Sequence, residues 1–168
     1  MTRPAAAPAA LAAFNAAPAR DAERDLARCC ASHAFTAAIA AGRPFSGTEE
    51  LSAAVDAAFS ALEWTDIAEA LAAHPRIGEP GRSSWSRAEQ AGAAGVEPAV
   101  AGALTDGNRA YEQRFGHVFL ICATGLSAAQ ILASLQARLA HDPAAERCTV
   151  REELRKITQL RIGKLLEG

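Results

Sequence analysis

Three side chains stand where a reaction could use them: His74, Glu89 and Arg161. His74 immediately precedes Pro75, and the residue before a proline is pushed out of helical geometry, so His74 closes the helix that leads to it. The negative end of that helix favours an imidazolium, while burial favours the neutral ring. These opposed effects hold proton affinity near neutral pH, which suits a general acid or base. A hydrogen-bonded core histidine closing a helix fits the same position. Glu89 follows Ser86 by three residues, the spacing of a capping box, in which the glutamate reaches back to the start of its helix. As a carboxylate beside a loop it equally fits proton transfer. At about 100° per residue, Arg161 falls in the middle of the stripe made by Val150, Leu154, Ile157 and Leu165. An arginine there must meet an anion, snorkel or line a polar pocket, so a buried ion pair and a ligand site both satisfy it.

Cys122 offers a different chemistry, that of a nucleophile working with His74 or His117. Its apolar neighbours raise the proton affinity of the thiol and favour an inert side chain. His33, His117 and His141 share no metal-pair spacing with His74 or with one another, so no metal site is expected. Asn108, Tyr111 and Arg114 lie on adjacent turns of one helix and read either as a polar cluster or as a solvated face. Gln90 carries no signal of its own.

The elements that must position these groups are helices. A short one is predicted over residues 9–14 and a second from Pro18, a residue favoured in a first helical turn. A third runs from His33 to Ala41 and stops at Gly42. Ser46 and Glu49 have capping-box spacing and open a helix whose face carries Leu51, Val55, Ala58, Phe59 and Leu62. Thr65 caps the next, which lines up Ile67, Ala70, Leu71 and His74 on its core side. Residues 75–85 contain two prolines and two glycines and read as an ordered loop. Ser86 then opens a helix that fades at Gly92 or Gly95, and a longer one follows over Pro98–Phe115, with Gly107 weakening its middle. Residues 118–125 are the most continuously apolar piece, and periodicity does not decide between a buried strand-like stretch and a helical turn. Ser127 with Gln130 opens a further helix by capping-box spacing, and Asp142-Pro143 starts the last, which runs nearly to Gly168.

Composition points the same way. Forty-three residues are alanine, the best helix former, and β-branched runs are almost absent. The expected fold is all-α, a compact single-domain bundle of about eight helices over residues 1–168. With 17 basic and 19 acidic residues and no long block of either sign, the chain lacks the basic face nucleic acid asks for. The leading segment is broken by Pro4 and Pro8 and is neither a signal peptide nor long enough to span a membrane. The ending LLEG is not a peroxisomal address. Cys29, Cys30, Cys122 and Cys148 lack Cys-x-x-Cys spacing, which fits reduced thiols in a cytoplasm.

Three ordered motifs add a resemblance. HPRIGE at residues 74–79, SRAEQ at residues 86–90 and NRAYEQRFGHVFLICATG at residues 108–125 resemble the 2-oxo-4-hydroxy-4-carboxy-5-ureidoimidazoline (OHCU) decarboxylase family. The family completes the conversion of urate to S-allantoin. The likeness extends through Phe14-Asn15, Cys29-Cys30, Arg43-Pro44-Phe45 and Leu62-Glu63-Trp64 to Arg161-Ile162. It implies an all-α bundle that needs no metal or organic cofactor, acts on a small molecule and is expected to be a homodimer. It also implies that His74 is catalytic with Glu89, that Pro75 lies beside the substrate, and that Ser86, Arg87, Ala88, Glu89 and Gln90 contact it. Phe119, Leu120, Ile121, Cys122 and Ala123 are implied to contact the ring through backbone groups, and Arg161 to be a substrate-binding arginine. The resemblance does not carry over the length of the loop after HPRIGE, so the spatial relation of His74 to Ser86 is left to the fold.

Two other classes compete with this expectation. A cysteine hydrolase built on Cys122 predicts inactivation by a thiol-alkylating reagent. A helical interaction module predicts a large exposed apolar patch and no polar pocket around His74.

Overall fold

A computed structural model describes residues 9–79, 84–93 and 95–167. The leading residues 1–8, residues 80–83 of the predicted loop, Ala94 and Gly168 lie outside the described residues. Among the described residues there are nine α-helices, one short 3-10 helix and no strand, so the all-α expectation is met. Contacts divide the chain into two compact units, one made of residues up to Glu69 together with residues from Arg155 onward, the other of Ala70–Leu154.

The first unit holds α1 (Ala9–Ala16), α2 (Ala19–Cys29), α3 (His33–Ala41), α4 (Thr48–Ala61), most of α5 (Trp64–Ala72) and the end of α9 (Pro143–Glu167). Leu11, Leu26, Phe35, Val55 and Phe59 are buried within it, and the Phe35 and Phe59 rings meet at 5.6 Å. Each such side chain contributes about 1.5–3 kcal/mol through its removal from water. Residues from the outer parts of the family likeness are structural here. Arg43 donates to the carbonyl oxygens of Phe14 (2.6 Å), Ala17 (2.8 Å) and Ala40 (3.1 Å), satisfying orphan acceptors at two helix ends. Asn15 exchanges two hydrogen bonds with the backbone of Phe45.

α3 spans the predicted residues and stops at Gly42, which sits at φ −76°, and Ser32 caps its start by accepting from the Phe35 N–H. Local starts depart from expectation at two places. At α4 the predicted capping box does not form. Gly47 takes the cap position, and Glu50, not Glu49, reaches back to both the N–H and the hydroxyl of Ser46 at 2.6 Å. Thr65 does not cap α5, because the helix already begins at Trp64 and the Asp66 carboxylate holds the Glu63 N–H at 2.8 Å.

The second unit contains α6 (Ser84–Glu89), a 3-10 turn (Ala91–Ala93), α7 (Pro98–Phe115), α8 (Ala128–Arg138) and the first half of α9. α7 matches its predicted span and closes on Gly116 at φ +76°, the left-handed conformation a glycine adopts freely. Gly107 is explained by packing: a Cβ there would stand 2.5 Å from Leu135 Cδ2 of α8. The Ser127–Gln130 capping box is present in both halves, and Asp142 accepts the N–H groups of Ala144 and Ala145 at the start of α9. Ser84, two residues ahead of the predicted start at Ser86, is already helical. Residues 118–123 form neither helix nor strand.

Candidate functional site

His74 lies just past the end of α5, half-buried, with its N–H on the Leu71 carbonyl at 3.0 Å. Pro75, also half-buried, turns the chain into a loop that three side chains hold. Asn108 donates its amide to the Ile77 carbonyl at 3.0 Å, Gln90 Oε1 accepts the Gly78 N–H at 3.1 Å, and Arg76 forks onto Glu112 at 2.5 and 2.9 Å. Gly78 has φ +91°, which few other residues would accept there. The three motifs read from sequence therefore meet around one loop: HPRIGE supplies it, SRAEQ ties it through Gln90, and the NRAYEQ run ties it through Asn108 and Glu112. Hydrogen bonds from Arg76 hold the Glu112 carboxyl below the usual glutamate value.

The open question about Asn108, Tyr111 and Arg114 is resolved by burial. Asn108 and Tyr111 are buried, and Arg114 is exposed with a hydrogen bond to the His141 carbonyl. Asn108 Oδ1 has no hydrogen-bond partner among the described residues. A cavity of about 470 Å³ opens between residues 76–79 and the Leu104, Asn108 and Glu112 face of α7. None of the expected site residues lines it, and its Arg76, Glu79 and Glu112 are already paired with one another.

Along α6, Ser86 is buried, Arg87 and Ala88 are exposed, and Glu89 and Gln90 are half-buried. Because Ser84 is already helical, Ser86 is not the cap of α6, and Glu89 is the helix's last residue rather than the third from a cap. A carboxylate at a helix C-terminus opposes the dipole, so helix stability does not account for its place.

The apolar run folds by a different logic. Phe119, Leu120, Ile121 and Ala123 bury their side chains, and Cys122 is half-buried. Phe119 packs edge-on to Tyr111 at 5.2 Å and lies under the Arg138 guanidinium at 4.5 Å. Contact with a ligand from these four therefore has to come from the main chain. Part of that main chain is already held, since the Leu120 carbonyl accepts from Arg138 at 2.8 Å and the Cys122 N–H donates to Glu153 at 2.7 Å. Arg138 is fixed in turn by Glu146 at 2.6 and 2.9 Å, whose carboxylate also takes the Tyr111 hydroxyl and His141 Nδ1. Burial works against the Glu146 charge, but Arg138 and Tyr111 outweigh it and keep that carboxyl below its ordinary value.

Arg161 belongs to the first unit. It is buried in its stripe as the spacing required, with Nη1 3.5 Å from the Arg28 carbonyl, a long contact for a hydrogen bond. Beside it are the buried thiols Cys29 and Cys30, pushed up by burial to about 12 and about 11. Sequence reasoning missed Arg76, Glu112, Arg138, Glu146 and Glu153. Arg138 reads locally as an ordinary cation in a helix's last turn, and no spacing rule links it to Leu120.

The OHCU decarboxylase family profile matches residues 15–163. The chain is 34% identical over 145 residues to the uric acid degradation bifunctional protein TTL of Arabidopsis thaliana, covering 82% of this chain and 45% of that protein, so it spans less than half the length of that relative. It is 32% identical over 140 residues to the 2-oxo-4-hydroxy-4-carboxy-5-ureidoimidazoline decarboxylase of Amia calva, covering 78% and 79% of the two chains. A crystal structure of an OHCU decarboxylase in the presence of (S)-allantoin superposes with a TM-score of 0.75 at 30% identity, over 86% of this chain and 98% of that one.

Proposed function

The chain belongs to the OHCU decarboxylase family, and from that premise we propose that it converts OHCU to S-allantoin and carbon dioxide with His74 and Glu89 as its catalytic pair. The observation that carries this reading is the join between motifs: Gln90, next to Glu89, is bonded to the loop that begins at His74. The position of Glu89 at the end of α6, where the dipole disfavours it, supports a role beyond capping.

The chemistry asks little of a cofactor. The C4–carboxylate bond breaks and its electron pair forms a C4–C5 double bond as the adjacent imine nitrogen takes up a proton; the C4 hydroxyl then gives up its proton to become the carbonyl, and a proton is delivered to the ureido-bearing C5 on one face. His74 moves the proton, and Glu89 orients the imidazole or repels the departing carboxylate. Main-chain groups of residues 119–123 hold the ring in one orientation. Arg161 is proposed as a substrate-binding arginine, its fork suited to planar oxygens. Pro75, Ser86, Arg87, Ala88 and Gln90 complete the proposed contacts. Residues 1–168 act as one domain, a reading supported by a family match that runs through both units. A homodimer in the cytoplasm is part of the same proposal. Among the described residues no helix is long and apolar enough to cross a membrane.

The substrate is generated in place from urate by the two preceding enzymatic steps, and allantoin is followed by circular dichroism. S-allantoin should form faster than the spontaneous racemic decay. His74→Asn should abolish that advantage with helicity intact, and Glu89→Gln should reduce turnover by about two orders of magnitude. Racemic product at the spontaneous rate from folded wild-type protein overturns the reading.

A further inference from the structure

Residues 118–123 are themselves in neither a helix nor a strand, yet their backbone groups still need hydrogen bonds or water. Side chains supply two of them at adjoining points: Arg138 from α8 holds the Leu120 carbonyl at 2.8 Å, and Glu153 from α9 holds the Cys122 N–H at 2.7 Å. Ile121 lies between these two fixed points, and its own N–H and carbonyl make no hydrogen bond among the described residues. The other carboxylate in this arrangement, Glu146, is seven residues from Glu153, two turns along one face of α9, and grips Arg138. One helix face thus sets the segment from both sides, directly through Glu153 and through Arg138.

On the reading above that residues 119–123 touch the substrate through their main chain, we propose that Glu153 is a positioning residue for the reaction. By holding the Cys122 N–H it fixes the peptide plane that precedes Cys122, and with it the direction in which the Ile121 carbonyl faces a cyclic ureide. A carboxylate accepting from a backbone N–H makes a strong, short bond, suited to fixing one peptide plane. Arg138 performs the corresponding task at Leu120, but its buried pairing with Glu146 makes it part of the core, whereas Glu153 is half-buried and can be changed with less disturbance.

The test uses the full chain labelled with ¹⁵N and ¹³C, titrated with (S)-allantoin, together with steady-state kinetics and the S excess extrapolated to saturating enzyme. In the wild type the Ile121 and Cys122 amide and carbonyl signals should move on titration. Glu153→Gln keeps an acceptor and should stay within about threefold of wild-type kcat/KM. Glu153→Ala removes it, and Glu153→Asp draws it back by one methylene. Both should lose about tenfold to a hundredfold in kcat/KM, chiefly through KM, with a lower S excess and a weakened Ile121 response. The aspartate variant keeps the charge and decides the matter if the alanine variant fails to fold. Wild-type kinetics and an unchanged Ile121 response in a folded Glu153→Asp or Glu153→Ala protein overturn the positioning role and leave the substrate contact standing. Wild-type signals from residues 119–123 that ignore (S)-allantoin overturn the contact itself, and the positioning role with it.

Discussion

Replacing Arg138 by methionine isolates the buried network of the second unit. The side chains of Arg138 and Glu146 are 5% and 0% exposed, so the substitution leaves a carboxylate out of water with only the Tyr111 hydroxyl and His141 beside it. Breaking one partner of such a pair costs about 3–5 kcal/mol, and the Leu120 carbonyl, which loses its donor, adds a further penalty of about 1 kcal/mol or more. Methionine retains much of the contact with Phe119, so packing loss is the smaller part. For a chain of this length each kcal/mol lowers the melting temperature by about 2–4 °C, which places the expected fall near 10 °C or beyond. Thermal melts followed by helical circular dichroism, paired with urea titration, measure it. Adding Glu146→Gln to Arg138→Met removes the stranded charge and should recover a substantial part of the loss. A single variant within about 1 kcal/mol of wild type, or a double variant worse than the single by the full cost of a second independent mutation, refutes the reasoning.

Arg161→Met should preserve helicity while raising KM and lowering the S excess, with Arg161→Lys milder because a point charge cannot grip two planar oxygens; unfolding of the methionine variant would show instead that the arginine serves a buried pair. Cys122→Ser should keep most of its activity, because the proposed contact runs through the main chain of this segment, and complete inactivation of a folded variant would favour the cysteine hydrolase. Gly92→Ala should destabilise by about 1–3 kcal/mol in urea titration, since its Cβ would stand 2.0 Å from the Leu126 carbonyl oxygen and the backbone would have to move. Glu146 and Glu112 have folded-state values below the ordinary glutamate value of 4.5, so they bind fewer protons folded than unfolded. Their contribution is complete above that value and is lost as pH falls below it, and in Arg138→Met the acid limb of the stability curve should flatten; an unchanged limb counts against Glu146 as its source.

Much of the helical outline was legible from residues alone, because helix starts and stops are decided by neighbours within a turn. Pro98 and Gly116 bound α7, Ser127 and Gln130 make their reciprocal bonds, and Asp142 opens α9, each through contacts no more than four residues apart. The same short range explains the errors. Ser46 has glutamates at both Glu49 and Glu50, and only the extended backbone of Gly47 selects the second. The motifs that carry the proposed site residues were legible, and the buried Arg161 showed itself as a charge in an apolar stripe, but the way the motifs meet was not. The loop after His74 is held by Asn108, 31 residues from Ile77, and by Glu112, 36 residues from Arg76. Residues 119–123 could be assigned to neither helix nor strand because they are neither: their shape is set by Arg138, 18 residues from Leu120, and by Glu153, 31 residues from Cys122. Periodicity records which face of an element avoids water, and it carries no information about a backbone whose partners are distant side chains, which only the packed chain brings within reach.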